Sequence, residues 1–135
     1  MFVEKVCPVI FREKDSIKEI LVFRHPFAGI QLVKGTLEQN EDPNAAALRE
    51  LAEESGISEV SLIDFKGMLE FEEVNQRWHF YLCKPKEILK ESWDFFANDD
   101  GGLNFSFFWF RLNETPSDEW HHLHLKALEF IKITF

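Results

Sequence analysis

Three carboxylates open the chemical reading of this chain. Glu50, Glu53 and Glu54 stand at i, i+3 and i+4 within a run rich in helix formers, so a helix there projects all three from one face. Converging carboxylates repel one another and disfavour the helix unless water or a cation neutralises them. Arg49 lies four residues before Glu53 and can pair with it, but one guanidinium cannot balance three anions. Hard divalent cations can: Mg²⁺, or Mn²⁺ in its place, takes oxygen ligands of this kind and keeps several waters. Ala45, Ala47, Leu48, Leu51 and Ala52 occupy the other side, small enough to seat the helix close to a sheet. Taken alone, the acidic face is equally well a solvated surface.

The elements that must position these groups follow from local signals. Asp42 is a good N-cap, Pro43 suits the first helical position, and Gly56 is placed to end the helix in a left-handed conformation, with Ile57 folding back. Phe2 to Arg12, Glu19 to Arg24 and Gly29 to Val33 read as strands, with Pro8 marking a bulge or an edge. Val60 to Phe71 and Arg77 to Cys83 read as a strand pair joined around Glu72 to Gln76. Lys84 to Gly102 reads as irregular, and Phe105 to Leu112 as a buried strand. Thr115-Pro116 followed by Asp118 predicts the start of a last helix, with Trp120, Leu123, Ala127, Leu128 and Ile131 as its apolar stripe. The pattern is that of an α/β protein, a mixed sheet with helices packed against it.

Composition narrows the function classes. The chain has 135 residues, 45% hydrophobic and 29% charged, which fits one domain spanning 1–135 and excludes a disordered or fibrous protein. Fifteen basic against 24 acidic residues leave a net charge of −9. Such a chain, with no Lys/Arg cluster, is a poor binder of double-stranded nucleic acid or anionic membranes, and handling phosphates would require a cation. Cys7 and Cys83 lie in apolar stretches and read as buried reduced thiols. With no signal-peptide pattern and no apolar run long enough to span a bilayer, the expected location is cytoplasmic.

Spacing then decides between the readings of the acidic face. Gly35, five residues, Glu41, seven residues, Arg49-Glu50, apolar Leu51, one residue, Glu53-Glu54, one residue, Gly56 and apolar Ile57 form the series. It resembles the Nudix box of the Nudix hydrolases at every defining position. The resemblance implies a Nudix fold, an α/β/α sandwich around a mixed β-sheet with the box as loop–helix–loop. It implies cleavage of a diphosphate linkage in a nucleoside diphosphate joined to another group, assisted by Mg²⁺. Glu50, Glu53 and Glu54 would be metal ligands, joined by the carbonyl of Gly35. Arg49 would orient the carboxylates by ion pairing, Glu41 would brace the loop or support the metal ligands from behind, and Glu53 would polarise the attacking water, with Glu50 and Glu54 competing for that role. Asp94, Asp99 and Asp100 are further ligand or base candidates, set against a reading as polar loop residues.

The substrate leaves weaker marks. Lys34 before Gly35 resembles the Lys-Gly that opens the box in dinucleoside polyphosphate hydrolases and RNA pyrophosphohydrolases, although Val33 replaces the usual proline. The signatures of ADP-ribose pyrophosphatases before and after the box are absent. A small nucleotide is therefore the expected partner, led by a dinucleoside polyphosphate or a nucleoside triphosphate. A hydrolase of ADP-ribose or nucleotide sugars, or a silent nucleotide sensor, is the alternative; sensors usually lose a box glutamate, and none is lost here. Lys34, Arg24 and Arg77 are candidates for binding a terminal phosphate, with His25 beside them. Trp78, Tyr81, Phe107 and Trp109 could stack a base, but aromatics on apolar strands are more often core. His121, His122 and His124 suggest zinc only superficially, because no partner set stands at ligand spacing.

Overall fold

The computed structural model describes residues 1–98 and 101–135. Its strands are β1 (Val3–Lys14), β2 (Ile17–His25), β3 (Gly29–Gln31), β4 (Gly35–Thr36), β5 (Val60–Phe71), β6 (Gln76–Pro85), β7 (Trp93–Ala97) and β8 (Leu103–Arg111). Two helices accompany them, α1 (Pro43–Ser55) and α2 (His122–Thr134). The sheet runs β5-β6-β1-β2-β8-β7, with β3 on β2 and β4 on β1; β1 and β6 are parallel and the other pairs antiparallel.

Alternation along β1 and β2 separates the two cores. Val6, Ile10, Leu21 and Phe23 point to the side covered by Ala46, Ala47 and Leu51 of α1. Cys7, Val9, Ile20 and Val22 point to the other side, against Leu123, Ala127, Leu128 and Ile131 of α2. Strands with both faces apolar are what a sheet sandwiched between two helix layers demands. The expected α/β/α sandwich is present. The two thiols, on β1 and β6, are buried as expected, and burial pushes Cys83 up to about 12 and Cys7 further still. No described helix is long and apolar enough to cross a membrane.

Strand β1 holds two neighbours on its free edge in turn: β4 through Lys5 and Val6, then β2 from Phe11 onward. Pro8 lies in the interval between them, paired with Tyr81 of β6 on the other side. Among the described pairs that interval has no registered partner on its β2 side, so Pro8 marks a local edge inside the sheet, as its missing N–H suggests.

Two stretches depart from the sequence reading. β7 lies within the region expected to be irregular. Trp93, Phe95 and Ala97 alternate inward against exposed Asp94 and Phe96, a period-two signal masked by the polar residues around it. Packing completes the strand: Trp93 stacks on Phe107 at 5.1 Å and donates its indole N–H to the Ser55 carbonyl at 3.0 Å. The last helix begins at His122, not near Thr115. Ile30 donates to Glu119 and accepts from His121, both at 3.1 Å, and this holds residues 119–121 extended beside β3. A helix cannot start until those bonds are made. The expected stripe on α2 is buried nonetheless, with Trp120 just before the helix.

Candidate active site

Local chemistry sets the acidic helix. Asp42 accepts from the Asn44 N–H, Pro43 occupies the first turn, and Gly56 (φ 79°) closes the helix through its N–H to the Ala52 carbonyl. Ser55 Oγ donates to the Leu51 carbonyl at 2.5 Å and accepts from the Ile57 N–H at 3.2 Å, which turns the chain back into the core. With Ala46, Ala47 and Leu51 locked against the sheet, the face bearing Glu50, Glu53 and Glu54 is fixed in direction.

Arg49 is the hub of this face. Its guanidinium grips Glu41 in a bidentate pair at 2.6 and 2.9 Å. It donates to Glu50 at 2.8 Å, to Glu53 at 3.0 Å and to the Thr36 carbonyl at 3.1 Å. The planar fork of five donors makes such simultaneous contacts possible, and lysine could not reproduce them. The pairing drives Glu41 below the usual carboxylate range and raises Arg49 further above neutrality. Glu41 also accepts from the Glu38 N–H at 3.0 Å, so it braces the loop that leads from β4 into α1.

Gly35 stands against the carboxylate of Glu50. A Cβ at Gly35 would fall 1.8 Å from Glu50 Cδ and 2.0 Å from one of its oxygens, so only glycine lets the backbone come this close. The juxtaposition offers a peptide carbonyl and carboxylates, the hard oxygen donors that Mg²⁺ or Mn²⁺ takes. Glu50 and Glu54 are buried while the Glu53 side chain is 53% exposed. Buried carboxylates are tolerated only when compensated. Among the described residues no three acidic, His or Cys side chains converge on one point, and Arg49 instead holds Glu50 and Glu53. A cation would compete with that guanidinium for their oxygens. The donor set fits a divalent metal.

These groups line one cleft of about 580 Å³, within the range of small-molecule sites. Gly35, Arg49 and the three glutamates form one wall; Lys34 and Lys5 supply cations; Phe23, His25 and Phe105 form an apolar wall. Phe23 and Phe105 stack at 4.4 Å, and His25 lies 5.4 Å from Phe105. Burial and the neighbouring Lys5 lower the pKa of Lys34, whose ammonium sits 5.0 Å from the Trp78 ring.

Other candidates from the sequence stand elsewhere. Arg24 is absent from the cleft wall and pairs with Glu119 at 2.5 Å over the Phe108 ring. Arg77 also stands outside it, joined to Glu70 at 2.7 Å and Glu4 at 3.1 Å. Trp78, Tyr81 and Phe107 are core, and Trp109 packs under Arg12 and donates to the Lys90 carbonyl. Asp94 is exposed on β7 outside the cleft, and Asp99 and Asp100 lie outside the described residues. His121 caps α2 by accepting from the Leu123 N–H. His124 is a buried plug that accepts from the Leu32 N–H at 2.9 Å. Sequence reasoning missed Lys5, Phe23 and Phe105. Their signal was strand position alone, since strand pairing, not spacing, brings Lys5 opposite Thr36 and Phe23 opposite Phe107.

Comparison with known proteins agrees with this fold. A Caenorhabditis elegans Ap4A hydrolase binary complex superposes with a TM-score of 0.70 at 17% identity, covering 96% of this chain and 93% of that one. The Nudix hydrolase RenU of Mycobacterium smegmatis gives 0.69 at 10% identity, with 97% and 84% covered. An ADP-ribose pyrophosphatase of Streptococcus suis gives 0.68 at 16% identity, with 98% and 92% covered. At such identities the likeness establishes the fold. Residues 1–129 match the NUDIX domain. With that match over nearly the whole chain and every defining position of the box filled, the protein belongs to the Nudix hydrolase family.

Proposed function

We propose that this chain is a Mg²⁺-dependent pyrophosphohydrolase that cleaves a diphosphate linkage in a nucleoside-diphosphate-X substrate, with dinucleoside polyphosphates and nucleoside triphosphates as the leading class. The observation that carries the reading is the contact of Gly35 with Glu50 in a cleft lined also by Glu53, Glu54, Arg49 and two lysines, Lys5 and Lys34. A bound Mg²⁺ would neutralise the phosphates and lower the pKa of a water. Glu50, Glu54, Glu53 and the Gly35 carbonyl would hold the metal.

The chain's own residues divide the remaining work. Glu53, open to solvent, takes the proton as the water oxygen bonds to phosphorus and the bridging P–O bond breaks. Arg49 fixes the rotamers of Glu50 and Glu53, and Glu41 fixes Arg49. Lys34 stabilises negative charge on the departing phosphate. Phe23, His25 and Phe105 offer the nucleoside an apolar wall. Arg24 and Arg77, engaged with carboxylates outside the cleft, have no part in this assignment.

The test is a phosphate-release panel with Mg²⁺, comparing wild type with Glu53→Gln. It spans nucleoside triphosphates, diadenosine polyphosphates, ADP-ribose, a nucleotide sugar and 5′-triphosphorylated RNA. Turnover of one class, lost in the variant and abolished by EDTA until Mg²⁺ or Mn²⁺ is returned, supports the reading. Nucleotide bound with nothing hydrolysed identifies a sensor instead.

A further inference from the structure

The backbone that carries Gly35 reaches its place by a crossing. β3 pairs with β2 as far as Gln31, and β4 pairs with β1 from Gly35. Among the described pairs, residues 32–34 belong to neither ladder. Consecutive side chains part there to opposite cores, Leu32 towards α2 and Val33 towards α1. In this gap the Leu32 N–H is met by a side chain 92 residues away, donating to His124 Nδ1 at 2.9 Å. His124 is buried, its ring lies 4.9 Å from that of Trp78, and Trp78 lies under the Lys34 ammonium at 5.0 Å. One imidazole therefore touches both the backbone leading to Gly35 and the ring beneath Lys34. An Nδ1 that accepts belongs to a neutral ring with its proton on Nε2. Burial and the repulsion of Lys34, His121 and His122 hold this ring well below its ordinary pKa, so the acceptor persists at neutral pH.

We propose that His124 is a positioning residue for the box: by holding the Leu32 N–H it fixes the crossing from β3 to β4, and with it the place of the Gly35 carbonyl beside the Glu50 carboxylate. The inference deepens the hydrolase reading and rests on it for the metal. β4 is two residues long and sets little register of its own. Gly35 follows Leu32 by three residues, a span too short to absorb a displaced anchor. The space there is tight, since a Cβ at Gly35 would fall 2.0 Å from a Glu50 oxygen. Packing by itself asks position 124 only for a ring of this volume; the crossing asks it for an acceptor.

His124→Asn and His124→Phe separate the two requirements. Asn offers Oδ1 near the place of Nδ1 and gives up the ring, whereas Phe keeps the ring and gives up the acceptor. Three quantities are measured on the folded protein at one neutral pH: Mn²⁺ affinity by calorimetry without nucleotide, kcat with Mg²⁺, and amide hydrogen exchange. His124→Phe should weaken Mn²⁺ binding and lower kcat by about 10-fold or more each, the scale of losing a contact that supports a metal ligand. It should also speed exchange at Leu32 and at Leu37, whose N–H donates to the Glu4 carbonyl at 3.0 Å just past β4. His124→Asn should stay close to wild type in all three. If His124→Phe does not fold, His124→Leu, also without an acceptor, takes its place. The reverse order, with Phe near wild type and Asn impaired, assigns His124 to packing and overturns the proposal. Equal losses in the two variants overturn it, and so does faster exchange at Leu32 with metal affinity and kcat unchanged. A wild type that neither binds Mn²⁺ nor turns over any nucleotide defeats the hydrolase reading. Exchange at Leu37 then decides the placement of the loop, and an unchanged rate in His124→Phe overturns it.

Discussion

Helices α1 and α2 are both 13 residues long and cover opposite faces of one sheet, yet they bury different chemistry. α2 buries Leu123, Ala127, Leu128 and Ile131, and its single buried polar side chain, His124, is satisfied by one backbone N–H from Leu32. α1 buries Ala46, Ala47 and Leu51 but also Glu50 and Glu54, with Glu53 beside them at the surface. A helix selected only for packing would not carry carboxylates to a buried edge, where desolvation works against each of them. Here α2 is the helix that holds the sheet and α1 the helix that is held by it. The difference is measurable: changes to the exposed acidic edge of α1 should reach activity without touching stability, and changes to the buried stripe of α2 the reverse.

The sharpest contrast is between Glu53→Gln and Leu128→Ala. Glu53→Gln should lower turnover by about 10²–10⁴-fold while the urea midpoint stays within error, because its side chain is half exposed. Leu128→Ala should cost about 2–5 kcal/mol in urea unfolding, with kcat of the folded fraction preserved, because Leu128 is fully buried. Either change acting on both readouts would break the division. Gly35→Ala should lower turnover about 10²-fold, since the new Cβ must displace the Glu50 carboxylate by an ångström or more. A rate near that of wild type would show that the position of Glu50 is not critical.

A smaller effect belongs to pH. Burial drives His124 well below its ordinary value of 6.5, and Lys34, His121 and His122 add repulsion against its proton. Below about pH 6.5 the unfolded chain therefore binds a proton at His124 that the folded chain refuses, so stability falls as pH falls, by up to ~1.4 kcal/mol per unit. The depressed carboxylates Glu41, Glu73 and Glu91 act in the same direction, but only below their ordinary value of 4.5. Urea midpoints at pH 7.5 and 5.5 should thus differ in wild type and converge in His124→Leu, apart from a residue left by His121. The smallest effect is reserved for Arg24→Ala. Its exposed pair with Glu119 should contribute under about 1 kcal/mol, and KM should be unchanged.

The box was legible because its logic is local. Capping by Asp42, the left-handed turn at Gly56 and the i, i+3, i+4 glutamates are all set within one helix and its ends, where sequence separation and spatial separation coincide. The pairing of Arg49 with Glu53 is local for the same reason. Likewise the apolar residues of Phe105 to Leu112 marked a buried strand, and the order of strands and helices a sheet with helices packed against it, as the two cores show. What only the tertiary structure decided was long-range. β7 exists because Trp93 finds Phe107 and Ser55, and α2 starts late because residues 119–121 must first run beside Ile30. Arg24 and Arg77 looked like Lys34 as charges in a string; the pairing of distant segments gave two of them to carboxylates and turned the third, with Lys5, into the cleft. Charge and helical phase are properties of the chain, but which charge lines the cleft depends on which segments the sheet brings together.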